Sequence, residues 1–185
     1  VIVAALVILG DLLSCSLVAY GFARFRFPGR DVLFTILLAT LLMPFVVRLV
    51  PLFILFQKLG WINTFLPLVV PAFFGTPLFI FLMRQFFMTI PADLTDAARV
   101  DGASEPDIWW RIMVPLSGPI LAVITILAFQ QVWNDFLQPL IFLSDQSMKT
   151  LALGLQTMLE QGSGAQAYHR IMAVATTMTL PVVVL

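Results

Sequence analysis

Apolar residues in this chain come in long runs and not at the spacing of a half-buried soluble fold. Five stretches, near 1–23, 32–56, 65–83, 116–143 and 169–185, are apolar on every face. Runs of about 20 residues with no polar stripe predict membrane-spanning helices. Proline recurs within them, at Pro44, Pro51, Pro67, Pro71, Pro77 and Pro181. In lipid such breaks survive where neighbouring helices satisfy the freed carbonyls, so kinked helices in a moving or path-lining bundle are expected. The predicted architecture is all-α: one polytopic transmembrane domain over residues 1–185.

The polar positions gather between the runs, above all in residues 84–115, "RQFFMTIPADLTDAARVDGASEPDIWWRIMVP". Its chemistry predicts helix, turn, helix. Pro91 fits a first helical position, and Asp93 and Asp96 suit the positive end of a helix dipole. Ile90, Leu94, Ala97 and Ala98 are expected to share one face by their three-and-four spacing. Gly102 suits the left-handed turn that ends the helix, with Asp101 just before it. Ser104 with Asp107 three residues later resembles a capping box, and Pro106 falls in the first turn of a second helix carrying Ile108, Trp109, Trp110 and Ile112 before Pro115. Two short helices meeting at a glycine, one with a face of methyl groups, make a knob that another protein can approach closely.

Charge orients the bundle. Arg24, Arg26 and Arg30 follow the first run, and Arg84, Arg99 and Arg111 lie in the third loop, whereas the opposite side holds Lys58, Lys149 and Arg170. The positive-inside rule then places the first and third loops in the cytoplasm. Composition narrows the function classes: 61% of residues are hydrophobic, 11% are charged and the net charge is zero, with a mean hydropathy of +1.02. Nothing here suits nucleic acid, and the single Cys15, inside an apolar run, is read as a small buried hydrophobe with no disulfide or metal role.

The order Asp96-Ala97-Ala98, three residues, Gly102, nine residues, Ile112-x-Val114-Pro115 resembles the EAA signature of binding-protein-dependent ABC importer permeases, E-A-A-x3-G-x9-I-x-L-P. Asp96 replaces Glu and Val114 replaces Leu. "AYGFARFRFPGR", "MPFVVRLVPLFILFQKLGWINT", "FLMRQFFMTIPADL", "WNDFLQPLIFL" and "TLALGL" are similar, in order, to the carbohydrate-type permeases, including those for maltose and glycerol phosphate. The resemblance implies six helices, so the first helix and the end of the sixth are expected outside this chain. It also implies a multi-pass subunit of a bacterial or archaeal cytoplasmic membrane, working with a second permease, two ATP-binding cassette ATPase subunits and an extracytoplasmic solute-binding protein. Asp96, Ala97, Ala98, Asp101, Gly102, Ile112 and Pro115 would couple it to the ATPase. ATP would sit on the partner subunits, with no cofactor, metal or catalytic residue on this chain.

Three charges fall inside apolar runs: Asp11, Arg48 and Asp135. Intramembrane charges are functional candidates by default. At about 1.5 Å per residue, Arg48 and Asp135 rise about 26 and 28 Å from the cytoplasmic edges of their runs, so they are expected to meet near the outer face. The bland reading has each snorkelling to the interface beside Trp61 or Trp133. Ser163 and His169 share an outer loop but lack an orienting third group, so they read as loop and interface residues. An ion-coupled secondary transporter or channel is the alternative, and it would call for paired carboxylates or discontinuous helices at the midplane.

Overall fold

The computed structural model describes residues 1–161 and 165–184, and every regular element among them is helical. Helix α1 (Ile2–Arg24) is the axis of the bundle. It packs along α5 (Pro77–Thr89), against the short turns before it, and along α9 (Gly118–Asn134). Its inward face carries Ala4, Val7, Asp11, Cys15, Ala19 and Tyr20. Most of these are small, which lets backbones approach closely where lipid supplies no hydrophobic drive. Gly10 marks the tightest approach, since a Cβ there would lie 2.8 Å from the Phe73 ring.

Proline and glycine divide the expected spans. The 32–56 run is two helices, α2 (Arg30–Ala39), which ends in a 3-10 turn at Thr40–Leu42, and α3 (Phe45–Lys58), bent by 99° at the break between Leu42 and Phe45. Pro44 stands at the cap of α3, and the residue before a proline is pushed out of the helical region. The third run begins with α4 (Leu66–Val69) and continues past the expected end, to Thr89. It is interrupted at Gly75, where φ is +89°. The fourth, by contrast, is shorter than expected: α9 stops at Asn134, and Leu137–Phe142 forms a separate α10. Helices α11 (Leu151–Gln161) and α12 (Ala165–Val184) complete the described chain. Among the described residues, Ile2–Arg24 and Leu66–Thr89 are long and apolar enough to cross a membrane, and up to four spans result if each bent pair is one span.

The core joins α1, α5 and α9 to the third loop. Phe79, Met83 and Phe87 of α5 are fully buried together with Ile108 and Met113 of the loop and Ile124 of α9. The loop's second half is therefore rooted in the bundle. At the other end Asn63, with a φ of +61°, receives the backbone N–H groups of Ser144 and Asp145 at 3.0 and 2.9 Å. Those bonds tie the loops holding Lys58 and Lys149 together, opposite the arginine-bearing loops.

Candidate functional site: a braced charged loop and a polar cavity

Within the charged loop, α6 (Ala92–Val100) and α7 (Glu105–Ile108) flank the predicted turn. Gly102 adopts φ +84°. The Ala103 N–H donates to Ala98 O at 2.9 Å and the Gly102 N–H to Arg99 O at 3.0 Å. This paired pattern closes α6 and satisfies carbonyls that would otherwise be orphaned. Asp101 is the C-cap residue. Ser104 caps α7, accepting the Asp107 N–H at 3.4 Å while its hydroxyl donates to the Asp107 carboxylate. That hydroxyl holds the Asp107 carboxyl below the usual range. Pro106 lies in the first turn, as expected.

Two local readings need correction. Pro91 is the cap and not the first helical residue, and Ile90 before it is extended, at φ −74° and ψ 129°. Ile90 is thus out of register with the helix it was expected to join. Nor do the remaining three residues share one face. Ala98 packs against the core beside fully buried Thr95, whereas Leu94 and Ala97 point away with Val100, which is 87% exposed. Trp110 is a further exposed apolar side chain of the loop.

Beyond α7 the backbone widens into a π-turn over Trp109–Met113, where the Val114 N–H reaches Trp109 O. Pro115 follows at once, in the single turn α8 (Val114–Leu116). It cannot donate to the carbonyl four residues back and its ring crowds that carbonyl, so a widened turn accommodates it. Ile112, in the same turn, packs against the core. Such single-turn widenings are frequent at functional sites.

The sequence reading missed the brace that holds this loop. The Tyr20 hydroxyl of α1, in a residue 3% exposed, donates to Glu105 Oε2 at 2.5 Å. Arg99 donates from Nε to Glu105 Oε1 at 2.7 Å and from Nη1 to Asp96 Oδ1 at 2.6 Å. The Arg99 hydrogen bond, aided by the Tyr20 hydroxyl, holds the Glu105 carboxyl below its usual range despite partial burial. The same contact raises the Arg99 guanidinium. Arg24 adds a second tie, donating to Phe87 O at 3.1 Å and Ile90 O at 2.7 Å, the carbonyls where α5 ends. Arg99 and Glu105 stand three residues to either side of Gly102, which is a legible hint of a pair. Tyr20, 85 residues from Glu105, had no such signal.

At the far end of α1 a cavity of about 750 Å³ opens between α1, α3 and α9. Arg48 and Asp135 both line it. No ion pair within 4 Å joins them among the described residues. Asp135 Oδ1 instead accepts the Leu137 and Gln138 N–H groups at 3.1 and 3.3 Å, starting α10. Asp11, 4% exposed, also borders the cavity and accepts from the Thr76 hydroxyl at 2.7 Å. Cys15 is buried and receives the Thr76 N–H at 3.2 Å. Together Asp11 and Cys15 satisfy polar groups freed by the break at Gly75. His169 is exposed, and Ser163 lies outside the described residues.

Residues 14–185 match the family of binding-protein-dependent transport system inner membrane components. The chain is 37% identical over 183 residues to the arabinooligosaccharides transport system permease protein AraQ of Halalkalibacterium halodurans, covering 99% of this chain and 64% of that protein. It is 33% identical over 180 residues to the sn-glycerol-3-phosphate transport system permease protein UgpE of Pectobacterium atrosepticum, covering 97% of this chain and 64% of that protein. Its fold matches a chain of a bacterial ABC transporter that imports the acidic polysaccharide alginate, with a TM-score of 0.85 at 23% identity, over 98% of this chain and 68% of that one. The chain thus spans somewhat less than two thirds of the length of these curated relatives.

Proposed function

Because the chain belongs to the family of binding-protein-dependent transport system inner membrane components, we propose that it is the permease subunit of an ATP-driven importer of a sugar or sugar derivative. It forms part of the translocation path in a bacterial or archaeal cytoplasmic membrane. A second permease completes the path, two ATPase subunits bind and hydrolyse the ATP, and an extracytoplasmic binding protein delivers the solute. This chain carries transport and no catalytic step of its own. The two relatives that support the solute class are named for arabinooligosaccharides and sn-glycerol 3-phosphate.

The braced loop carries the reading. A short helix that presents Leu94, Ala97 and Val100 outward, while Ala98 and Thr95 root it inward, is a surface built to be pushed upon. Asp96, Ala97, Ala98, Asp101, Gly102, Ile112 and Pro115 are its ATPase-coupling residues: some form the outward surface, and others set the turn and the root behind it. Force from closing ATPase subunits would pass through α7 into the core at Ile108 and through Glu105 into α1.

Gly102→Val tests this. A Cβ there meets nothing within 4 Å, so the substitution acts through backbone strain alone, of about 1–3 kcal/mol for a non-glycine residue at positive φ. The subunit should insert and accumulate, while binding-protein-stimulated ATP hydrolysis and transport fall steeply. Asp96→Glu should be mild. Full stimulated activity in Gly102→Val would return the loop to an ordinary surface element.

A further inference from the structure

The cavity at the far end of α1 has a composition that the loop does not explain. Its walls are largely apolar, but α9, the turn after it and α10 bring Gln130, Asn134, Asp135 and Gln138 to one side. Arg48 lies on the α3 wall, and Asp11 on that of α1. Side-chain amides offer both donors and an acceptor, the pairing that a hydroxyl group needs, and carboxylates accept from hydroxyls. At about 750 Å³ the space falls within the usual range of small-molecule sites, about 300–1,000 Å³.

The charge content narrows the ligand. Arg48 is the one cation among the described lining residues, against two carboxyl groups. Phosphate and carboxylate ligands are held by surplus or bidentate guanidinium groups, whereas like charges facing each other across a site are repelled. We infer that this cavity is a solute subsite of the permease and that Asp11 and Asp135 set it for an uncharged polyhydroxyl solute, against phosphorylated or uronic ones. The inference rests on the permease reading and deepens it. Arg48 is free of any ion pair within 4 Å to either aspartate, so its guanidinium can serve a solute hydroxyl.

Two isosteric changes remove the negative charge while keeping the observed bonds. Asp135→Asn retains the oxygen that caps α10, and Asp11→Asn retains the acceptor for Thr76. The full permease–ATPase complex, purified without binding protein, is tested by equilibrium dialysis with a radiolabelled arabinotriose and with glycerol 3-phosphate. The wild-type complex should bind the trisaccharide at least about tenfold more tightly, a ratio that corresponds to about 1.4 kcal/mol. Asp11→Asn/Asp135→Asn should bind glycerol 3-phosphate about tenfold better than wild type does, a gain that a merely structural role for the carboxylates does not produce, and adding Arg48→Gln should abolish that gain. Equal or tighter wild-type binding of glycerol 3-phosphate, no gain in the double variant, or no saturable binding of either solute overturns the inference. Each of these leaves the permease reading intact as long as the ATPase co-purifies and responds to binding protein. Failure of the ATPase to co-purify with the wild-type chain overturns both.

Discussion

Removing the brace between α1 and the loop should uncouple the two ends of the molecule without unfolding either. Tyr20→Phe deletes the hydroxyl that donates to Glu105 at 2.5 Å. A hydrogen bond to a charged group nets about 1.5–3 kcal/mol, and the low end applies because water reaches the Glu105 carboxylate. Glu105 is 37% exposed and still pairs with Arg99 in the variant. Glu105→Ala is harsher: it strands the Tyr20 hydroxyl in a residue 3% exposed, at a cost of about 1–3 kcal/mol. Arg99 keeps Asp96 at 2.6 Å, so its charge is not orphaned. The exposed Arg99–Glu105 ion pair itself adds no more than about 1 kcal/mol, and Glu105→Gln, which can still accept from Tyr20, should be the mildest of the three.

About 1.4 kcal/mol shifts the balance between braced and unbraced loop tenfold. Two readouts follow. Amide hydrogen exchange over residues 96–104 should rise about tenfold in Tyr20→Phe and more in Glu105→Ala, with exchange in α9 unchanged. In the reconstituted complex, solute moved per ATP hydrolysed should fall in the same order. The pH dependence has a definite sign. The folded Glu105 carboxyl lies below its usual value, so the brace contributes in full at neutral pH. Its contribution begins to fade only as pH drops below about 4.3, the ordinary Glu value, and is gone below the depressed one. Wild-type exchange and coupling in Glu105→Ala, or a loss of the brace between pH 7 and 5, would refute this account of Glu105.

Two further predictions concern orientation and packing. Arg24 and Arg84 tie the first and third loops to one end of the bundle, so cysteines placed at Arg26 and Ser104 should resist membrane-impermeant reagents in intact cells while one at Asp145 reacts; labelling at position 104 from outside would reverse the topology. Gly10→Leu should drive its side chain into Phe73 and Ala72, whose nearest atoms lie 2.8 and 3.2 Å from a Cβ there, lowering stability in detergent by about 1–3 kcal/mol. Gly118→Ala, with nothing within 4 Å of its Cβ, should melt like wild type.

What could be read from the chain alone is what short-range chemistry decides. Gly102, Ser104 and Pro106 act on their own backbone, and each lies in the turn or cap that its residue type favours. Pro91 missed by one position because its fixed φ, −55° here, is compatible with the cap as well as with the first turn, and that slip put Ile90 in a helical register it does not have. The bend between α2 and α3 was harder, since a run apolar on both sides of Pro44 gives no hint of whether a proline kinks one span or separates two. Tyr20 and Glu105 meet across 85 residues, a pairing that depends on how α1, α5 and the loop pack. Arg48 and Asp135 were placed at similar depth by helix rise alone, and they do border one cavity; rise could not show that Asp135 would turn to cap α10.

The two ends of the molecule share one helix. Tyr20 holds the loop and Asp11 borders the cavity, nine residues apart on α1, or about 14 Å along its axis. Between them lie Cys15, Ser16 and Ala19, small and almost fully buried. A helix packed through small side chains has little slack, because close-packed interiors transmit displacement instead of absorbing it. Cys15 and Asp11 also hold Thr76, the residue after the break at Gly75. Movement of the loop against Tyr20 therefore reaches the cavity by two linked routes: directly as a shift of α1, and through Thr76 as a change in the angle at which α5 leaves the wall. On the proposed coupling role, a load applied at Leu94 and Val100 would in this way be converted into a change in the width of the cavity.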